Sequence, residues 1–151
     1  MQLTRAADYA VRVMIYLAGL PPGTCVSHIE LAGAVECPRQ FLAKVLQRLT
    51  KAGLILSRRG SIGGFELPEE RRRASMLEVI EAIEGPLRLN RCLEASGSCA
   101  RELACPAHLV WARGQAALTH ILRSATIDDL AMQAAAIRDS GASLREVPRW
   151  T

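Results

Sequence analysis

The chain has few aromatic residues: Phe, Trp and Tyr make up 4% of its 151 residues, although 50% of the residues are hydrophobic. Its core must therefore be aliphatic, which suits packed helices better than a sheet sandwich. The sequence also has no apolar run of about 18 residues, roughly the shortest that spans a bilayer. Its first residues, MQLTRAADYAVRV, lack the basic start and uninterrupted apolar stretch of a signal peptide. We therefore expect a mainly α-helical cytoplasmic protein that binds no membrane.

Acidic residues are absent between Cys37 and Phe65, a segment that carries six basic side chains. The whole chain has a formal net charge of only +4, so positive charge is concentrated in this segment. Such a concentration is typical of binding to the DNA phosphate backbone. A solvated basic face is the ordinary alternative, but a segment without a single acid favours DNA. The six residues are Arg39, Lys44, Arg48, Lys51, Arg58 and Arg59.

The spacing of apolar residues predicts three helices in the first third of the chain. The first covers about residues 4–20, and the second begins after the N-cap Ser27 and ends near Val35. The third begins at Pro38 and ends before Gly53. A short helix, a tight turn and a helix with a basic outer face form the helix-turn-helix pattern. The apolar stripe of the third helix contains Phe41, Leu42, Val45, Leu46 and Leu49.

The next segment predicts a β-hairpin, which would be the wing of a winged helix. LILS and FEL are typical of two short strands, joined by the glycine-rich turn RRGSIGG. These glycines could instead form a phosphate-binding loop, but no Gly-Lys-Ser/Thr motif follows. We expect the third helix to enter the major groove and the wing to contact the backbone or the minor groove. The predicted DNA contacts are Arg39, Gln40, Lys44, Gln47, Arg48 and Lys51 in the helix, and Arg58 and Arg59 in the wing.

Three further helices are predicted in the second half of the chain. The capping pair Ser75 and Glu78 begins one near residues 76–84, Pro106 opens a longer one, and Thr126 caps a last one. Small and apolar residues along the long helix predict close packing in a homodimer, with an ordinary core-facing helix as the alternative. That stripe contains Val110, Gly114, Ala117, Leu118 and Ile121. We divide the chain into a winged helix-turn-helix region (1–74), a cysteine loop with dimerisation helices (75–138) and a loosely ordered tail (139–151).

The sequence lacks the close C-x2-C pair that structural zinc sites usually contain. Instead, Cys92, Cys99 and Cys105 are separated by six and then five residues, and His108 follows the last of them. An iron–sulfur cluster tolerates such spacing, because its thiolate ligands bind different irons of one inorganic core. His108 is the local candidate for a fourth ligand. The spacing alone leaves three possibilities open: a cluster, a zinc ion, or reactive thiols without metal.

Several stretches in the same order resemble one family of regulators. They are LTRAADYAVRVMIYLA, FLAKVLQRLTKAGLI, RRGSIGGFEL, EVIEAIEGPL, the three cysteines and TIDDLA, and the likeness extends to about Ala136. The chain resembles the winged-helix iron–sulfur transcription regulators of the IscR/NsrR/RirA type. The resemblance implies a homodimer that binds a double-stranded DNA operator. It also implies that operator affinity is controlled by a 2Fe–2S or 4Fe–4S cluster that senses redox state, nitric oxide or iron.

The resemblance supplies two candidates for the fourth cluster ligand. IscR-like members use a histidine three residues after the third cysteine, which is the place of His108, and bind a 2Fe–2S cluster. Some NsrR-like members use an aspartate of the first helix, contributed by the partner subunit to a 4Fe–4S cluster, and Asp8 stands at that position. We favour His108. The spacing of six residues between Cys92 and Cys99 departs from the five that are commoner in the family, so it does not fix a subtype.

Two functions of other classes would use the same cysteines. A cluster-free thiol-based or zinc-containing repressor would bind DNA and contain no iron. A small iron–sulfur electron carrier would have no need of the basic segment. An enzyme is not expected, because the sequence shows no nucleophile–base pair and no paired-carboxylate motif.

Overall fold

The computed structural model describes residues 3–60, 63–94, 99–101 and 104–140. Within these segments the chain forms six α-helices and one antiparallel hairpin, which confirms the prediction of a mainly α-helical winged helix-turn-helix protein. The helices are α1 (Arg5–Ala18), α2 (His28–Ala34), α3 (Arg39–Lys51), α4 (Met76–Glu84), α5 (Pro106–Ser124) and α6 (Ile127–Ser140). The strands are β1 (Leu56–Arg58) and β2 (Gly64–Glu66), and two 3-10 turns cover Glu69–Arg71 and Arg91–Leu93.

Local capping residues determine where the first three helices begin and end. Thr4 caps α1 and Ser27 caps α2 through their side-chain oxygens. Pro38 is the N-cap of α3, so this helix begins one residue later than the sequence predicts. Gly53 follows the end of α3 with φ of 68°, a conformation that glycine adopts without a steric penalty.

The wing is anchored to the helix-turn-helix by a third short pairing. β1 and β2 pair Ser57 with Phe65, and Val26 forms an isolated antiparallel bridge with Phe65 on the other side of β2. The two Val26–Phe65 backbone hydrogen bonds measure 2.9 and 2.8 Å. Gly64 makes this approach possible, because a Cβ there would lie 2.3 Å from the carbonyl oxygen of Val26. Residues 61 and 62 of the predicted turn lie outside the described residues.

A single aliphatic core joins the two halves of the chain. Helix α1 packs against α3, α4 and α6. Met14, Leu42, Ile80 and Ile127 are among its fully buried side chains. Phe41 is an exception to the predicted apolar stripe of α3, because it is 39% exposed and packs edge-on against Tyr9. The division of the chain at residue 74 stays a prediction.

The linker between the wing and α4, residues 68–74, contains an arginine whose side chain is only 12% exposed. Arg72 donates hydrogen bonds to the carbonyl oxygens of Ala18, at 2.6 Å, and Leu20, at 2.5 Å. It also forms ion pairs with Glu69, at 3.4 Å, and Asp128, at 3.6 Å. The linker therefore ties the end of α1 to the beginning of α6.

The second half of the chain follows the predicted helices closely. Ser75 and Glu78 form a complete capping box at the start of α4. Thr126 Oγ1 accepts a hydrogen bond from the Asp129 N–H at the start of α6, at 3.2 Å. Helix α6 ends at Ser140, and from residue 141 the predicted tail lies outside the described residues.

Helix α5 leaves an apolar face uncovered. None of its nineteen residues, all of which the structure describes, is buried. Leu118 and Leu122 pack against the core, whereas Val110 is 69% and Ile121 62% exposed. The described helices include none with the length and apolar character that crossing a membrane requires.

Candidate functional site

All eight predicted DNA-contacting side chains are exposed. Helix α3 carries six of them. The opposite side of this helix, which includes Leu42 and Leu49, is buried against the core. The amphipathic pattern of this helix therefore positions the basic side toward solvent. Arg39, Lys44, Lys51 and Arg59 form no ion pair among the described residues, so their charges are available for an external partner. Their role as DNA contacts stays a prediction.

Arg58 in the wing is already engaged within the protein. Its Nε donates to Glu66 Oε2 across the hairpin. This hydrogen bond raises the pKa of Arg58 and lowers the pKa of Glu66. The pair links the two strands of the wing. The guanidinium of the neighbouring Arg59 forms no ion pair with the described residues.

Gln47 and Lys51 also line a groove of about 670 Å³ between α3 and the wing. Its other lining residues are His28, Ala43, Thr50, Ser57 and Phe65. The Nε2 atom of His28 is buried and has no hydrogen-bond partner among the described residues. Sequence periodicity did not predict this groove, because its walls come from α2, α3 and both strands of the wing.

Arg48 differs from the other basic residues of α3. Its Nη1 donates to the carbonyl oxygen of Ile83, in the last turn of α4, at 2.9 Å. The carbonyls of a last helical turn have no partner within the helix, so this guanidinium satisfies one of them. Its predicted contact with DNA stays untested.

The three cysteines of the second half meet at one cavity of about 440 Å³. Cys92 comes from the 3-10 turn Arg91–Leu93, and Cys105 is the N-cap of α5. Cys99 comes from the short described piece 99–101, and His108 from the first turn of α5. The cavity is also lined by Asn90, Arg91, Ala100 and Trp111. The structure thus brings all four predicted ligands of this segment to one place.

The donor atoms at this cavity are available for a ligand. All five cysteines of the chain are free thiols. The Nδ1 atom of His108 is buried and has no hydrogen-bond partner among the described residues. A buried polar atom without a partner is uncommon and calls for an explanation, such as a role in binding an ion or cofactor. Within the described segments, no group of three or more His, Cys, Asp or Glu side chains is arranged to hold a single metal ion.

Asp8, the alternative fourth ligand, lies elsewhere on the same chain. It forms an ion pair with Arg12 one turn later in α1, at 2.9 Å, and its side chain is 54% exposed. It does not line the cysteine cavity of its own chain. Its proposed role requires contribution across a dimer, so the single chain leaves that role a prediction.

The remaining cysteines lie outside the cavity. Cys37 is buried beside α3, and burial raises the pKa of its thiol, which reduces its nucleophilicity at neutral pH. Cys25 is half-buried in the turn before α2. Asn90 and Arg91 are cavity residues that sequence reasoning missed; their only signal is that they adjoin Cys92.

Comparison with known proteins shows which family of proteins the chain is similar to. Residues 3–133 match the family model described as "Rrf2: Iron-dependent Transcriptional regulator". The chain is 34% identical to protein aau3 of Rhizobium meliloti over 132 residues, which are 86% of this chain and 84% of that protein.

Solved structures share the fold. CymR (YrzC), the global cysteine regulator of B. subtilis, superposes with a TM-score of 0.71 at 27% identity, covering 88% of this chain and 98% of that chain. The T. potens IscR structure superposes with a TM-score of 0.68 at 23% identity, covering 99% and 94%, and this likeness concerns the fold alone. The chain therefore belongs to the Rrf2 family, and it is a DNA-binding transcriptional regulator rather than an enzyme.

Proposed function

We propose that the cysteine cavity holds an iron–sulfur cluster, and that the state of this cluster controls the affinity of a homodimer for its DNA operator. One observation carries the proposal: three free thiols line the same cavity as His108, whose buried Nδ1 has no partner among the described residues. The protein would act in the cytoplasm.

The residues at the cavity fit such a group chemically. Thiolates are the usual ligands of iron–sulfur clusters, and imidazole replaces thiolate in some of them. Arg91 also lines the cavity, where its positive charge would complement the negative charge of a thiolate-bound cluster. Cys92, Cys99, Cys105 and His108 would therefore hold the cluster, with Asp8 of the partner subunit as the alternative to His108.

The DNA-binding surface would consist of α3 and the wing. Arg39, Gln40, Lys44 and Gln47 would contact base edges and phosphates in the major groove, with Lys51 on the flanking backbone. Arg58 and Arg59 of the wing would contact the adjacent backbone or minor groove. Lys44→Ala should lower the slope of log affinity against log salt concentration by about 0.9, the value for one phosphate contact. An unchanged slope would exclude that contact.

Helix α5 would form the dimer interface. Its exposed Val110, Ala117 and Ile121 lie on one stripe of the helix together with the exposed Gly114. Symmetric dimers present two recognition helices, which suits an operator with two half-sites.

The regulatory step then follows from what the cysteine segment does. When bound, the cluster supplies iron that reacts with oxidants or nitric oxide. While Cys92, Cys99 and Cys105 are all engaged as ligands, they hold the segment between α4 and α5 in one arrangement. Once these thiols are released, the segment is no longer fixed, and the spacing of the two recognition helices changes. Operator affinity changes with that spacing.

Anaerobic purification followed by visible absorption and by iron and sulfide assays tests the proposal. We expect brown protein with matched iron and sulfide. His108→Ala should lose or destabilise the cluster, whereas His120→Ala, an exposed histidine on the same helix, should keep it. Cluster loss in Asp8→Ala but not in His108→Ala would assign the fourth ligand to Asp8. Colourless wild-type protein after anaerobic reconstitution would refute the proposal.

A cluster-free thiol regulator is the second candidate. It is favoured by the likeness to CymR, which is described as the global cysteine regulator of B. subtilis. Protein of this kind would contain no iron, and its operator affinity would respond to peroxide through Cys92, Cys99 or Cys105. A zinc-containing repressor would instead hold zinc after reconstitution. An electron carrier gains no support, because the family is one of transcriptional regulators.

A further inference from the structure

Recognition helix α3 is attached to α4 by one polar side chain. Arg48 Nη1 donates to the carbonyl oxygen of Ile83 at 2.9 Å, across 35 positions of sequence. Ile83 lies one residue before the end of α4, and Glu84 accepts a hydrogen bond from the Thr4 N–H at 3.1 Å. The end of α4 is therefore fixed to the recognition helix and to the start of α1.

The chain continues from this point directly to the cysteine cavity. The N–H of Leu87 donates to Glu81 Oε1 at 3.0 Å, which holds the turn after α4. Gln115 of α5 then forms two hydrogen bonds with the segment that follows this turn. Its Nε2 donates to the Leu87 carbonyl oxygen, and its Oε1 accepts from the Leu89 N–H, both at 2.8 Å. Three residues after Leu89 comes Cys92.

We propose that Arg48 is a positioning residue that couples the cysteine cavity to the recognition helix. In this arrangement, movement of Cys92 is passed through the Gln115-bound segment to the end of α4, and through the Ile83 carbonyl to Arg48. The coupling rests on the proposed cluster function, whereas the positioning role of Arg48 does not.

The hydrogen-bond pattern distinguishes this role from phosphate binding. Lys44 and Lys51 form no ion pair or hydrogen bond with the described residues, so nothing in the protein holds their charges. Arg48 instead directs a guanidinium nitrogen toward the protein, onto a carbonyl that the helix leaves unpaired. Such a contact fixes the angle of α3 relative to α4, and that angle determines how α3 enters a groove.

The first test compares Arg48→Met with Lys44→Ala in apo protein, which requires no cluster. Operator affinity is measured at several salt concentrations. Arg48→Met should bind several-fold more weakly with the wild-type salt slope, because it disturbs orientation rather than a phosphate contact. A slope lowered by about 0.9, the value for one lost phosphate contact, would overturn the positioning role. Unchanged affinity would overturn it as well.

The second test measures coupling in the holo protein. Allosteric coupling commonly changes affinity by about 5- to 150-fold, so the ratio of holo to apo operator affinity is the readout. Arg48→Met should bring this ratio close to one while absorbance and iron content stay unchanged. Gln115→Met should do the same, and the double variant should be no worse than either alone, because both act on one path. Gln115→Glu, which keeps the acceptor for Leu89, replaces Gln115→Met if that variant does not fold.

The outcomes separate this inference from the proposed function. If the cluster binds and the wild-type ratio persists in Arg48→Met, the coupling is refuted and the cluster function stands. If no cluster binds, the cluster function is refuted, and the salt slope of the apo variants still decides the role of Arg48.

Discussion

Replacing Arg72 with methionine would remove the contact that ties the end of α1 to the start of α6. The Arg72 side chain is only 12% exposed, so its hydrogen bonds to Ala18 and Leu20 are shielded from water. Methionine keeps most of the aliphatic volume and removes both donors. The carbonyl oxygens at the end of α1 would then lose their partners.

The expected loss follows from these contacts. A hydrogen bond from a charged donor contributes about 1.5–3 kcal/mol, whereas ion pairs with exposed acids contribute about 0–1 kcal/mol. Glu69 is 70% and Asp128 45% exposed, so the two carbonyl contacts dominate. Since methionine is buried more easily than a guanidinium, we expect a net loss of about 2–4 kcal/mol. In a chain of this size that loss corresponds to a fall in Tm of roughly 5–15 °C.

Thermal and urea unfolding, followed by circular dichroism at one protein concentration, would measure the loss. Arg73→Met is the matched control, because Arg73 is the exposed neighbour and forms no ion pair or hydrogen bond with the described residues. The control should change Tm by a degree or two at most, since exposed substitutions rarely exceed about 0.5 kcal/mol. Equal Tm values for the two variants would refute the reasoning.

Three further changes test other parts of the molecule. Gly64→Ala places a Cβ 2.3 Å from the Val26 carbonyl oxygen, so the wing should shift and operator affinity should fall in a filter-binding or anisotropy assay; wild-type affinity would contradict the close approach. The backbone hydrogen bond from Ser75 lowers the pKa of Glu78, so the stability that Glu78 contributes is present above its unfolded pKa of about 4.3 and is lost as pH falls through its folded pKa. Glu78→Gln should therefore be less stable in urea at pH 7 and lose less than wild type on acidification; an identical pH profile would argue against the capping box. Ile121→Glu places a charge on a side chain that is 62% exposed in the single chain, and should yield monomers by sedimentation and weaker operator binding. A persistent dimer with wild-type affinity would show that this face is not the interface.

Features that depend on neighbouring residues could be predicted from the sequence. The capping box of Ser75 and Glu78 joins positions three apart, and it gave the start of α4 correctly. The end of α3 was predicted from Gly53, because this signal also depends only on residues next to the helix end. Cys105 and His108 are one helical turn apart, so their presence at one cavity required only that Pro106 begin α5.

Contacts between distant parts of the chain could not be predicted. Arg72 lies in a polar linker and Arg48 was predicted to contact DNA, yet each donates to a carbonyl oxygen far away in the chain. Periodicity shows which side of a helix is apolar, but it does not show which backbone groups remain unpaired at the end of another helix. The bridge between Val26 and Phe65 was missed for a related reason, because a single residue pair leaves no alternating pattern.

The uncovered face of α5 has a consequence for how the regulator responds in a cell. The same helix carries that face and, at its start, Cys105 and His108. In a dimer formed through α5, a ligand that orders this helix at the cavity also favours association of the two chains. Association in turn favours binding of that ligand, and each raises the equilibrium constant of the other by the same factor. Under the proposed function, mass action would then make the number of chains in the cell a second input, alongside the chemical signal at the cysteines.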